Sequence, residues 1–290
     1  MKSRYRLIAY IVLIFGILAL LGLLIGQIDM AVMSPAGLIG LKQRDLLVFA
    51  TLMMLIVVIP VFVLIFFVTW RYQEGKHRKA KYSPNWSHDP IAELIWWGVP
   101  CVIIVILGAV NWVCCYTLDP YRPIASDKKP MTIQVIALDW KWLFIYPDYN
   151  IATVNYIQFP VDVPVHFYIT ADAPMNSFWI PELGGQIFAM PGMRTELHLI
   201  ANKQGSFRGL SANLSGEGFA GMRFIAKAST EEEFKQWVAT VKKSKALLNK
   251  DSYLELAKKS YNNPVATYRV RDQNLFDWIL MKDSMPHDVR

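Results

Sequence analysis

Two long apolar runs limit what this chain can fold into more than any other feature. The first extends from Leu46 to Trp70, with only Thr51 and Thr69 weakly polar. The second extends from Ile91 to Leu118, with Glu93 near its start and Trp96, Trp97 and Trp112 toward its ends. An α-helix rises about 1.5 Å per residue, so about 20 apolar residues cross the roughly 30 Å hydrocarbon layer of a bilayer. Both runs suffice, which gives expected spans of about 46–70 and 91–118. Only helices or closed barrels satisfy their backbone groups in lipid. Asp89 followed by Pro90 is a good helix start, an N-cap acceptor and then proline at the first helical position. Pro60 falls mid-span and is expected to kink the first helix.

The charges around these runs set a topology. The linking segment Arg71 to Pro90 carries Arg71, Lys76, His77, Arg78, Lys79 and Lys81. Cytoplasmic loops are enriched in such residues, so this loop belongs inside and the two distal helix ends outside. Lys2, Arg4 and Arg6 precede another apolar run, Leu7 to Ile25. Residues 1–30 therefore read as a signal peptide or a retained signal anchor, with possible cleavage near Ala31. No cysteine precedes Cys101, so lipid attachment through an N-terminal cysteine is not expected. The helical hairpin occupies residues 31–120, its first part being a polar, glycine-containing linker from Ser34 to Arg44.

Several function classes fall away. The net charge of +7 could attract nucleic acid, but no basic helix with interleaved aromatics is present. Much of the positive charge borders apolar segments, where topology accounts for it. The three cysteines, Cys101, Cys114 and Cys115, all lie in the second apolar run, which leaves the soluble part without a disulfide framework or a thiolate site. Cys114 and Cys115 read as small apolar packing residues. No nucleophile–base arrangement stands out, and Gly216-Glu217-Gly218 follows no strand-to-helix phosphate motif.

After Asp119-Pro120 the composition becomes that of a soluble domain. Short alternating runs follow at Met131–Ala137, Trp142–Tyr146, Val154–Phe159, Val165–Thr170, Glu196–Ile200 and Met222–Ala226. Their spacing predicts a β-sandwich or barrel over residues 121–228. His166 and His198 lie in such runs without a ligand partner at a suitable spacing and read as structural. Residues 229–290 read as a helical, aromatic-rich extension. A helix is expected over Ser229 to Lys243, with Ser229 and Glu232 as a capping box and Phe234, Trp237, Val238 and Val241 on its apolar face. A shorter helix is expected from Asp251 to Ser260, before a tail containing N-L-F-D-W-I-L-M.

The stretch from Ser211 to Met222, S-A-N-L-S-G-E-G-F-A-G-M, resembles a metal loop that has lost its ligands. In the second subunit of cytochrome c oxidases the pattern is Cys-x-Glu-x-Cys-x-x-x-His-x-x-Met, and it holds the two-copper CuA centre. Laid over it, Ser211 and Ser215 stand at the cysteines, Asn213 at the glutamate, Phe219 at the histidine, and Met222 keeps its type. The upstream histidine position, within M-N-S-F-W-I-P, is Asn176. Such copper needs soft thiolates and imidazole, and one thioether does not hold it. Retained spacing without ligands resembles subunit II of cytochrome bo-type ubiquinol oxidases, within the haem–copper oxidases. K-Y-S-P-N-W-S-H, D-W-K-W, A-T-V-N and Q-I-F-A-M-P-G-M stand in the same order as in that family, and the resemblance covers nearly the whole chain from Ser34.

The resemblance implies a transmembrane helical hairpin followed by a cupredoxin-like Greek-key β-barrel with C-terminal helices. It implies a bacterial inner-membrane location, multi-pass, with the barrel in the periplasm. The expected function is that of subunit II in a proton-pumping terminal oxidase that oxidises quinol and reduces oxygen to water. No cofactor is expected in this chain; haems and copper would belong to subunit I, which would also bind the quinol. Expected partners are subunit I, the other small membrane subunits and membrane lipid. Glu93 matches an acid at the cytoplasmic mouth of a proton pathway into subunit I, although an acid in a first helical turn is also favoured by the helix dipole. Trp140 matches a tryptophan that passes electrons inward in cytochrome c oxidases, but without a copper acceptor it reads as packing. A CuA-bearing cytochrome c oxidase subunit II and a free-standing membrane-tethered binding or sensor module are the alternative readings.

Overall fold

The computed structural model describes residues 30–72 and 87–282. The N-terminal segment read as a signal or anchor, most of the basic linking loop and the last eight residues lie outside the described residues.

Helix α1 spans Leu38–Arg71 and α2 spans Pro90–Thr117. Both are long and apolar enough to cross a membrane. Helix α1 continues through Pro60, and α2 through Pro100. Gly40 is the one buried residue of α1, and α2 has none. Nearly all of their apolar surface is thus left for lipid or other chains. The two helices run antiparallel side by side, with Leu46 and Phe49 of α1 facing Val110 and Cys114 of α2 across one groove.

Helix α1 begins inside the segment expected to be a linker. The reason is contact with the β domain. Ala36 N–H and Gly37 N–H donate to the Glu182 carbonyl at 2.8 and 3.3 Å, and Gly40 N–H donates to the Leu183 carbonyl at 2.9 Å. Gly37 pairs with Ala201 as an isolated bridge. A Cβ at Gly37 would lie 2.5 Å from the Ile200 carbonyl oxygen, so only glycine permits this approach. At the other outer end, the His198 backbone N–H and its Nδ1 both donate to the Pro120 carbonyl at 3.1 Å. The β domain therefore grips both helix ends on its own side. Arg71 and Glu93 lie at the far end of the hairpin, about 40–50 Å away at 1.5 Å per residue.

Among the described residues, twelve strands form two facing sheets: β1 Met131–Leu138, β2 Lys141–Tyr146, β3 Ile151–Val154, β4 Tyr156–Pro160, β5 Val165–Ala171, β6 Asn176–Trp179, β7 Ile187–Ala189, β8 Thr195–Leu199, β9 Gly205–Ser211, β10 Arg223–Ser229, β11 Leu247–Leu248 and β12 Ala266–Val270. One sheet has the order β11-β12-β3-β2-β1-β5-β8 and the other β4-β10-β9-β6-β7. β1 with β5 and β4 with β10 pair in parallel, so the chain crosses between sheets as a cupredoxin-like Greek key does. The expected single strand over Val154–Phe159 is two strands, because Asn155 turns left-handed at φ 55° and passes the chain from one sheet to the other.

Trp142, Phe144, Phe167, Phe178 and Phe224 fill the space between the sheets. The outward face of β1 and β2 is also buried: Ile136, Leu138, Leu143 and Ile145 pack against Tyr253, Leu275, Phe276 and Ile279. These last belong to α4, Lys250–Ala257, and α5, Leu275–Met281, the helices of the C-terminal extension. Helix α3 spans Glu231–Val241 and is capped by Thr230 and Glu233, one residue later than the expected Ser229–Glu232 box. Ser229 still ends β10, and its hydroxyl accepts from Gln158 Nε2 at 2.9 Å.

Candidate functional site

The loop after β9 returns to β10 over residues 212–222, beside the β6–β7 hairpin. It brings Asn176, Ser211 and Asn213 into one hydrogen-bonded group. Ser211 Oγ donates to Asn176 Oδ1 at 2.9 Å, and Asn176 Nδ2 donates to the Pro174 carbonyl at 2.7 Å. Asn213 Nδ2 donates to the Met175 carbonyl at 2.9 Å. Asn176, Ser211 and Met222 are all buried. Met222 is tied in by its backbone, its N–H donating to the Phe219 carbonyl and its carbonyl accepting from Ser211 N–H. Ser215 offers its carbonyl to Trp140 Nε1 at 3.2 Å, and its buried hydroxyl has no hydrogen-bond partner among the described residues.

This donor set does not fit copper of the CuA kind. A buried polar group must be hydrogen-bonded, and here amide and hydroxyl satisfy each other. Soft thiolate and imidazole donors are what such copper selects. Among the described residues, no cluster of three or more His, Cys, Asp or Glu is arranged to hold a metal.

The loop's other neighbour is Trp140. It occupies the turn between β1 and β2 with φ 61°, a left-handed conformation that a bulky residue adopts only when its surroundings enforce it. Its indole lies on Gly218, where a Cβ would come within 2.4 Å of the ring. Beside it, Lys141 is buried and its ammonium donates to the Lys258 carbonyl at 2.7 Å and to Ser260 Oγ. Burial lowers the Lys141 pKa, while the nearby Asp139 acts to raise it.

Glu93 stands in the first turn of α2, far from the loop. Asp89 caps that helix by accepting from Ile91 N–H and Ala92 N–H, both at 3.1 Å. His88 Nδ1 lies 3.6 Å from Glu93 Oε1. The Glu93 side chain is 43% exposed, so it is open to water or to a neighbouring chain. The role of His88 is not legible in the sequence beyond its place just before the Asp89 cap, since its approach to Glu93 depends on the turn into the helix.

His166 and His198 are paired across β5 and β8, with rings stacked at 4.0 Å and 20°. His166 Nε2 meets Glu196 Oε2 at 2.9 Å. Burial and the neighbouring His198 lower the His166 pKa, against the opposing pull of Glu196. Both are thus partnered within the chain, and His198 also anchors Pro120.

Comparison with known proteins adds the following. Residues 150–229 match the family described as cytochrome c oxidase subunit II, periplasmic domain. Residues 242–287 match the one described as the COX aromatic rich motif. Cytochrome bo(3) ubiquinol oxidase subunit 2 of Pseudomonas aeruginosa is 52% identical over 90% of this chain and 78% of its own length. The protein of that name from Pseudomonas putida is 50% identical over 93% of this chain and 86% of its own length. A solved structure, the periplasmic domain of subunit II of cytochrome oxidase of Bradyrhizobium japonicum, is 26% identical over 42% of this chain and 98% of that one, with a TM-score of 0.39.

Proposed function

Because this chain belongs to the family of ubiquinol oxidase second subunits, we propose that it serves its complex without a redox centre of its own. The observation that carries this reading is the state of the loop: the spacing of a copper site remains, but Ser211 and Asn176 bind each other and the Asn213 amide binds the Met175 carbonyl. The complex is an oxidoreductase that oxidises quinol. Haems and copper reside in subunit I, which also takes the quinol and reduces oxygen to water. This chain, with the other small membrane subunits, supports subunit I and covers its outer face. The hairpin crosses the bacterial inner membrane and holds the barrel in the periplasm.

In this reading Glu93 receives protons. It lies at the end of the hairpin away from the barrel, hence on the cytoplasmic side. A carboxylate there is reached by water and exchanges protons with it. From Glu93 the proton passes to a polar path in subunit I, which pumps protons as it turns over.

The test is purification of the intact complex through a tag on this chain. The expected result is copurification of a haem-bearing subunit and oxidation of quinol but not of reduced cytochrome c. Isolation of the chain alone, without haem, would support the membrane-tethered sensor instead.

A further inference from the structure

The C-terminal extension returns across the barrel at one place, between helix α4 and strand β12, and there it meets both Trp140 and the loop. Four independent contacts hold it. The Lys141 ammonium is bound by the Lys258 carbonyl and Ser260 Oγ, so a buried charge finds its acceptors in the extension. Asn155 accepts from Trp142 N–H at 2.9 Å and donates to the Asn263 carbonyl at 3.0 Å. The Tyr261 ring meets Trp140 edge-on, with centroids 6.1 Å apart. Asn262 Oδ1 lies against Gly221, only 2.5 Å from where a Cβ would stand.

The loop beside this segment has one short 3-10 turn of its own, at Phe219–Gly221, and is otherwise held by its neighbours. It carries Gly216, Gly218 and Gly221, and Gly216 holds φ 112°. Among its contacts, Trp140 Nε1 binds the Ser215 carbonyl and the indole lies on Gly218. Trp140 is itself held left-handed between the loop and Tyr261. The indole thus touches the loop at Gly218 and the extension at Tyr261, and the extension also reaches the loop directly at Gly221.

We propose that residues 258–263 are a clasp that closes the 212–221 loop over Trp140, so that loop and extension open together as one unit. Two segments distant in sequence become one cooperative element because each needs the same indole in the same place. While the clasp is shut, the Tyr261 ring stays against Trp140 and Asn262 against Gly221.

Hydrogen exchange on the intact complex tests this, read at the amides of Ala212, Phe219, Gly221 and Met222, which are hydrogen-bonded within the chain. Tyr261 is largely exposed, so Tyr261→Ala leaves the fold intact. The expected result is that this change speeds exchange about fivefold in residues 212–221 as well as in 258–263. Asn155→Gly keeps the left-handed turn but removes two hydrogen bonds, and should speed both segments about tenfold. Faster exchange in 258–263 with the loop unchanged would overturn the clasp. So would no change in either segment for both variants.

Discussion

A serine differs from a cysteine by one atom, and at Ser211 that atom decides what the loop can hold. The hydroxyl is a hard donor that forms a hydrogen bond to Asn176 at 2.9 Å. The spacing and the residue exchanges were legible in the sequence; the mutual bonding of Asn176 and Ser211 was not, because it depends on β6 and β9 meeting at Phe178 and Ser211. The capping box shows the same limit. Ser229–Glu232 and Thr230–Glu233 both fit the pattern, and only the end of β10 decides between them. At Glu93, the Gln variant retains size and hydrogen bonding but loses proton exchange. Glu93→Gln should slow oxygen reduction by roughly 10²-fold or more, the scale of positioned proton transfer, with haem content unchanged, and Glu93→Asp should retain much of the rate. His166 yields a second prediction. Its lowered pKa means the unfolded chain binds more protons just below the usual value of 6.5. Its contribution is complete above that pH and is lost as pH falls toward the folded value. Thermal unfolding of wild type should therefore weaken between pH 7 and 5 more steeply than that of His166→Gln.

At the level of elements, most strands could be read from alternation, but β2 and the second half of β1 are buried on both faces, so their inner and outer sides look alike in sequence. β9, G-S-F-R-G-L-S, escaped notice because two glycines and two serines dilute its pattern. The start of α1 is not legible because Ser34–Arg44 looks polar, while the Ala36, Gly37 and Gly40 amides bind Glu182 and Leu183. The extension is an outer layer of the barrel. Phe276, 2% exposed, packs under α5 on the outer face of β1 and β2. Phe276→Ala should cost about 3–5 kcal/mol of barrel stability, measurable by denaturant unfolding. Gly37→Val should weaken the joint between barrel and hairpin, since backbone rather than a flexible side chain blocks the added Cβ.

Across the whole molecule, the proposed function requires Glu93 and the barrel to lie on opposite sides of one membrane. The grip of the barrel on Ala36–Gly40 and Pro120 puts both near helix ends on its side. A cysteine placed at Lys79 should accordingly resist membrane-impermeant labelling in intact cells, while one at the exposed Lys129 should react once the outer membrane is permeabilised. The most direct test of the central claim is electron paramagnetic resonance of the oxidised complex, purified through this chain, together with its copper-to-haem ratio. The account predicts copper attributable to subunit I alone and no mixed-valence two-copper signal; such a signal at one per copy of this chain would contradict it.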